Sequence, residues 1–317
     1  MEKMLNSKIN ILITGGAGNI GSELAKRLAL NPDYNIVIVD NLITGNLKNI
    51  SNNNYENFKF IKCDVNNYND ISAVMLSHDF DYVFHYAALV GVLRTLANPI
   101  KVLNDIEGIK NILNLSKSTT VRKVFYSSSS EVYGEPVEFP QNEITTPLNS
   151  KLPYAIVKNI GEAYFRSFYK EYGLDYTIFR FFNTYGPNQS SDFVVSRFIE
   201  QALNNSNINI NGDGSQTRTF CYIDDNIETI LKIFENNLCN DKTINIGNNN
   251  EITILELAEL IIKLCNSNSK IIHLSPLNEG DMTRRLPDIS NMKEILLRDL
   301  ISLTDGILNI IKFKYRN

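Results

Sequence analysis

Cysteine and histidine are scarce in this chain, and the few present are scattered. Cys63, Cys221, Cys239 and Cys265 stand far apart, with no CxxC pair among them. That argues against a disulfide framework or a zinc site and for a reducing, cytoplasmic setting. His78, His85 and His273 are as widely dispersed, so no metal site is expected. No apolar run approaches the length of a bilayer span, and residues 1–6 lack an apolar signal core, so membrane insertion is not expected. Lys+Arg of 31 against Asp+Glu of 35 leaves a formal net charge of -4. This balance suits neither a nucleic-acid binder nor a protein that coats anionic membranes, though it permits a local basic pocket.

What the chain does have is strand–helix alternation. Ile9–Ile13, Ile36–Val39, Phe58–Ile61, Tyr82–Phe84 and Val124–Tyr126 read as short buried strands. Glu23–Leu30, Ile71–Leu76 and Ile100–Leu115 carry apolar residues at helical spacing between them. A helix at about Tyr154–Tyr172 precedes a sixth strand at Tyr176–Arg180. Such alternation packs most simply as a doubly wound parallel sheet, an α/β fold with helices on both faces. After Pro187 the rhythm changes. Helices at Val194–Asn204, Asn226–Glu235 and Ile254–Leu264 alternate with Asn- and Gly-rich loops and the short strands Ile208–Ile210 and Lys270–His273, and a last helix covers Ile307–Phe313. We expect a dinucleotide-binding domain over residues 1–185 and a smaller, interleaved substrate lobe over 186–317, with sheet contributions crossing the boundary.

The first strand runs directly into Thr14-Gly15-Gly16-Ala17-Gly18-Asn19-Ile20-Gly21. Glycines at 15, 18 and 21 permit a tight turn, close approach to a pyrophosphate and close helix–sheet packing, and the helix N-terminus supplies N–H donors for phosphate. Asp40 ends the second strand, about 20 residues on, where a carboxylate accepts from a ribose 2′-OH and repels a 2′-phosphate. NAD is therefore expected rather than NADP, with a cap of a turn as the plainer role for Asp40. Asp64 after the third strand is placed to meet the adenine edge, and Ala87-Ala88 after the fourth leave room for the cofactor backbone.

Tyr154 and Lys158 lie one helical turn apart on one face. A free phenol has a pKa of about 10; a neighbouring ammonium and an oxidised nicotinamide lower it toward the working range of a base. Upstream, the fifth strand ends in Ser127-Ser128-Ser129-Ser130-Glu131-Val132-Tyr133-Gly134, and hydroxyls at a strand's carboxyl end lie where open α/β sheets bind ligands.

In these motifs the chain resembles the extended short-chain dehydrogenase/reductases that modify nucleotide sugars. Further motifs carry the resemblance: Asp40-Asn41-Leu42, His85-Tyr86-Ala87-Ala88, Arg180-Phe181-Phe182-Asn183-Thr184-Tyr185-Gly186-Pro187, Gly212–Arg218 and Glu279-Gly280-Asp281. It implies a Rossmann-type fold, bound NAD, a nucleotide-sugar substrate and a homodimer. It also implies roles. Ser129 holds the hydroxyl that is oxidised, Tyr154 removes its proton, and Lys158 holds the nicotinamide ribose. Asn41, Val65, Tyr154, Lys158 and Phe181 join the glycines, Asn19, Ile20, Asp40, Asp64, Ala87 and Ala88 at the cofactor. Ser130, Asn183, Val195, Arg218, Asp281 and Arg284 (or Arg285) meet the substrate, the arginines suiting phosphate oxygens through their planar fork. The dimer implied is a four-helix packing of the segment after Pro99 and the Tyr154 helix. Leu103, Ile106, Ile109 and Leu113 are placed to serve it or to face the sheet.

The motifs sit closest to UDP-glucuronate decarboxylases and UDP-hexose 4-epimerases. Dehydratases of this type resemble Thr-Asp-Glu at Ser129-Ser130-Glu131 and carry a Glu at Leu89, so dehydration is disfavoured. Decarboxylases share the Ser-Glu-Val-Tyr-Gly run but have a longer stretch between Gly134 and Tyr154. The 25-residue spacing from Ser129 to Tyr154 matches galactose-type epimerases, which carry a small or hydroxyl residue at the position of Glu131. Glu131 either holds a sugar hydroxyl or moves a proton at C3 or C5 of a 4-keto sugar. The expectation is C4 oxidation of a nucleotide-activated hexose or heptose, giving a 4-keto sugar or a 4-epimer. Two rivals are a non-catalytic dinucleotide sensor, which the Ser129, Tyr154 and Lys158 set argues against, and an NADP-dependent ketone reductase, which Asp40 argues against.

Overall fold

The computed structural model describes residues 8–50, 55–276 and 284–316. In chain order its strands are β1 (Ile9–Thr14), β2 (Tyr34–Asp40), β3 (Phe58–Lys62), β4 (Tyr82–His85), β5 (Lys123–Ser129), β6 (Asp175–Phe181), β7 (Thr184–Tyr185), β8 (Ile208–Asn211), β9 (Thr217–Thr219), β10 (Cys221–Tyr222), β11 (Lys242–Ile246), β12 (Glu251–Thr253) and β13 (Ile271–Leu274). The helices are α1 (Asn19–Ala29), α2 (Tyr68–Leu76), α3 (Val92–Ala97), α4 (Pro99–Leu103), α5 (Asp105–Ser116), α6 (Pro153–Tyr172), α7 (Val194–Leu203), α8 (Ile223–Glu235), α9 (Ile254–Leu264), α10 (Ser290–Leu296) and α11 (Leu303–Arg316).

Seven strands form one sheet in the order β11-β6-β5-β4-β1-β2-β3, and every neighbouring pair is parallel. The chain winds outward from β1 to β3, returns to the centre, and winds the other way from β4. The strand order thus reverses between β1 and β4, and the crevice beyond their carboxyl ends is where such sheets bind ligands. The doubly wound α/β expectation is met.

Alternation along each strand divides the core between the two faces. Ile11, Ile13, Ile36, Ile38, Phe125 and Phe179 pack with α1, α8 and the C-terminal helices. Leu12, Val37, Val39, Val124, Tyr126 and Ile178 pack with α2, α5 and α6 on the other face. Parallel strands covered on both faces need such continuous apolar runs. On the first face Phe84 stacks on Phe125 at 4.4 Å between centroids, with the Phe234 ring edge-on to Phe84 at 5.7 Å.

One feature differs from the sequence expectation: the run read as one helix over 100–115 is two, α4 and α5, joined at Asn104. The sheet takes β11 from the C-terminal half, paired with β6 from Lys242↔Thr177 to Ile246↔Phe181. Ile109 and Leu113 face the sheet, Ile106 packs beside them, and Leu103 is exposed. Among the described residues no helix is long and apolar enough to cross a membrane.

Candidate active site

A cleft of about 1410 Å³ opens along the carboxyl ends of the sheet strands. Its lining includes Gly15, Gly18, Asn19, Ile20 and Gly21 at the turn from β1 into α1. Gly18 precedes α1 and no side chain caps that helix, so its first N–H groups are left for a ligand. Gly21 has no room for a side chain: a Cβ there would stand 2.5 Å from the Gly15 carbonyl oxygen. Helix, turn and strand meet so closely that the floor of the cleft is bare backbone.

Asp40, at the end of β2, is buried on the cleft wall. Its Oδ2 accepts from the Ala17 N–H at 3.0 Å and its Oδ1 from the Leu42 N–H at 2.7 Å. The carboxylate therefore caps the turn, and each oxygen keeps a lone pair for a hydroxyl. Burial raises its pKa, and the two backbone N–H bonds oppose that rise. Asn41, Asp64, Val65, Ala87, Ala88 and Phe181 line the same cleft. An uncapped helix end, a side-chain-free floor and a carboxylate at the second strand's tip together fit a dinucleotide.

At the other end of the cleft β5 and α6 bring the serine, tyrosine and lysine together. Pro153 opens α6, a position where its missing N–H costs nothing, and the following turns carry Tyr154 and Lys158 to one side. Lys158 is buried, and its Nζ donates to the Ser127 carbonyl of β5 at 2.6 Å. Ser129 ends β5, its Oγ accepting from the Glu131 N–H at 3.2 Å. The Tyr154 phenol is pushed up by burial and then by the Glu131 carboxylate, against a hydrogen bond from Ser129 that pulls it down. Burial pushes the Lys158 ammonium down to about 8, and Asp105 opposes this. In the protein's own groups burial and Glu131 outweigh Ser129 and Arg285 at the phenol; the expected lowering joins the ammonium to an oxidised nicotinamide, whose charge would act in the same direction.

The residues expected at the substrate divide. Ser130, Asn183, Val195 and Arg218 line the cleft. Asn183 Nδ2 donates to the Thr219 carbonyl at 2.9 Å and Arg218 Nη1 to the Thr217 carbonyl at 2.8 Å. Arg284 does not line the cleft; its guanidinium forks onto Glu251 at 2.7 and 2.6 Å. Arg285 lines the cleft instead, 3.2 Å from a Glu131 oxygen and 3.4 Å from Ser130 Oγ. The two adjacent arginines meet different partners, Glu251 and Glu131, which spacing alone could not assign. Asp281 lies outside the described residues.

Residues that sequence reasoning passed over also line the cleft, among them Asp105 and the pair Arg94–Asp192. Asp105 sat unmarked inside one apparent helix. Arg94 and Asp192 are 98 residues apart and meet only across the fold.

Comparison with known proteins decides the family. Residues 11–247 match the model of the NAD dependent epimerase/dehydratase family. The chain belongs to that family. This epimerase/dehydratase-family protein is thereby an NAD-dependent enzyme. Over 307 residues it is 34% identical to UDP-glucuronic acid decarboxylase 6 of Arabidopsis thaliana, covering 93% of this chain and 85% of that one. A solved UDP-glucose 4-epimerase of Thermotoga maritima, with UDP-glucose, is 31% identical at a TM-score of 0.91, covering 97% of this chain and 99% of that one. UDP-glucuronic acid 4-epimerase of Bacillus cereus, with UDP-glucuronic acid and NAD, is 30% identical at a TM-score of 0.87, over 98% and 100% of the two chains.

Proposed function

We propose that this family member oxidises the C4 hydroxyl of a nucleotide-activated hexose or heptose and yields the 4-keto sugar or its 4-epimer. The observation that carries the reading is that Ser129, Tyr154 and Lys158 line the same cleft as the uncapped α1 terminus and Arg218, with Lys158 Nζ held on the Ser127 carbonyl at 2.6 Å. Ser129 orients the sugar hydroxyl and Tyr154 takes its proton. Lys158, fixed by Ser127, presents its ammonium to the ribose side of the site. NAD, when bound, accepts the hydride from C4. Asn183 and Arg218 hold the diphosphate, with Arg285 rather than Arg284 the arginine nearest the sugar. The solved relatives named above hold UDP-sugars, so UDP is the first nucleotide to test.

A second reading has one specific support. Glu131 faces Tyr154 and is paired with Arg285 at 3.2 Å, which sets a carboxylate and a guanidinium beside the sugar. Once C4 is a ketone, the C5 proton or a C5 carboxylate becomes labile, and such a pair suits C5 chemistry of the decarboxylase or 3/5-epimerase type.

Incubation with a panel of UDP-, dTDP-, GDP- and CDP-sugars in deuterated water separates the two. The first reading expects a 4-keto or 4-epimeric product without deuterium at C5. Deuterium at C5, or carbon dioxide release, replaces it with the second. No turnover of any nucleotide sugar defeats both. The proposal includes a cytoplasmic homodimer, supported by four free cysteines and by Ile100, Leu103, Tyr169 and Tyr172 exposed on α4 and α6; sedimentation as a monomer removes the dimer.

A further inference from the structure

Asp105 is the first residue of α5, directly after the Asn104 junction. It lines the main cleft and, with Ala87, Ala88, Tyr126, Tyr154 and Lys158, a small crevice beside it. Its two oxygens are engaged separately. Oδ2 accepts from the Leu89 N–H at 2.7 Å and Oδ1 from Asn66 Nδ2 at 3.1 Å. Asn66 cannot reverse its amide without loss, because its Oδ1 accepts from the Gly108 N–H at 3.1 Å. That contact is tight: a Cβ on Gly108 would stand 2.5 Å from the same oxygen.

An amide at position 105 has one acceptor oxygen. Its NH₂ would face either the Leu89 N–H or Asn66 Nδ2, donor against donor. The hydrogen bonds therefore call for an acceptor-only side chain, and such a side chain is an anion. Asp105 and Lys158 line that crevice together. The other titratable groups around that ammonium are His85 from β4, Tyr126 from β5 and Tyr154 from its own helix, beside the Ser127 carbonyl and hydroxyl to which it donates. Glu162, one turn on, is engaged by Arg180 and Ser128. Glu131 and Arg285 act on Tyr154.

We infer that Asp105 is a positioning residue of the active site, an anion that clamps the loops after β3 and β4 and serves as the counter-charge of the Lys158 ammonium. It holds Lys158 protonated against burial and at the same time pushes the Tyr154 phenol up.

The inference rests on the reading of Lys158 and Tyr154 as the reacting pair, but its first test needs no substrate. In cofactor-free protein the Lys158 side chain is titrated by ¹⁵N NMR, assigned with Lys158→Arg. Asp105→Asn is expected to move the Lys158 midpoint to lower pH, by up to about one unit, and Asp105→Glu to leave it near wild type. With an active nucleotide sugar, Asp105→Asn then moves both limbs of the kcat/KM profile to lower pH. The acid limb follows the phenol and the alkaline limb the ammonium. Asn66→Ala loosens the same loops and keeps the anion, so both limbs stay in place. An unmoved Lys158 midpoint in Asp105→Asn overturns the inference, as does an equal shift in Asn66→Ala. If Asp105→Asn does not fold, Asp105→Ser carries the same expectation. Failure of both, with Asp105→Glu folded, means a purely structural carboxylate and overturns it too. Absence of turnover with every sugar would defeat the proposed function and leave the NMR result standing.

Discussion

Behind α6, the Arg180 guanidinium forks onto the Glu162 carboxylate, Nε to Oε1 at 2.9 Å and Nη2 to Oε2 at 2.7 Å. Both side chains are buried. Ser128 Oγ adds a bond to Glu162 at 2.6 Å, and Arg180 Nη1 also donates to Tyr133 Oη at 2.8 Å. Tyr133 in turn donates to Asn245 of β11 at 2.8 Å. One buried network thus ties α6, which carries Tyr154 and Lys158, to β5, β6 and β11.

Breaking one partner of such a pair strands the other charge. Glu162→Gln is expected to cost about 3–5 kcal/mol of stability, read as a loss in denaturant midpoint. Burial alone would raise the Glu162 pKa, but the bonds from Arg180 and Ser128 outweigh it and hold it below 4.5. A depressed carboxylate stabilises the fold above its unfolded pKa and loses that contribution as pH falls through the folded one. Wild type should therefore lose stability more steeply than Glu162→Gln below pH 4.5. Parallel acid profiles for the two proteins would contradict this.

Tyr154→Phe keeps the ring and removes the proton acceptor. Turnover should fall by about 10²–10⁴-fold while NAD affinity, measured calorimetrically, stays within a few-fold. Lys158→Met should lose both. Because the Lys158 ammonium is pushed down to about 8, wild-type activity should decline above that pH as the proton leaves. A rate that keeps climbing well beyond it would show that the ammonium is not required.

At the dinucleotide end, Asp40→Ala removes the acceptor for Ala17 and Leu42 as well as the one offered to the ribose. Hydrogen bonds to a charged group contribute about 1.5–3 kcal/mol each, so NAD affinity should drop tenfold or more and the preference over NADP should narrow. Unchanged NAD-to-NADP selectivity would leave Asp40 only its turn-capping role. Gly21→Ala, with its Cβ forced to 2.5 Å from the Gly15 carbonyl, should abolish NAD binding or folding.

Glu131→Gln tests the sugar side. If Glu131 only holds a hydroxyl, the rate falls by about tenfold or less, in line with one lost hydrogen bond, and the product is unchanged. Complete loss of product with the 4-keto sugar accumulating would identify it as the group that moves a proton after oxidation.

Much of this protein is decided locally. Strand runs, the Gly15–Gly21 turn, Asp40 at a strand end and the Tyr154–Lys158 spacing each depend on a few neighbouring residues and on the periods of helix and sheet. These survive being read from the chain alone. What tertiary structure decided are meetings between distant segments. It brought β11 beside β6, Arg285 rather than Arg284 to Glu131, and Asp105 into the cleft that Lys158 also lines. No local period encodes which of two adjacent arginines faces inward, or that a helix breaks where its apolar pattern runs on. Those choices follow from hydrogen-bond satisfaction and close packing between elements far apart in sequence.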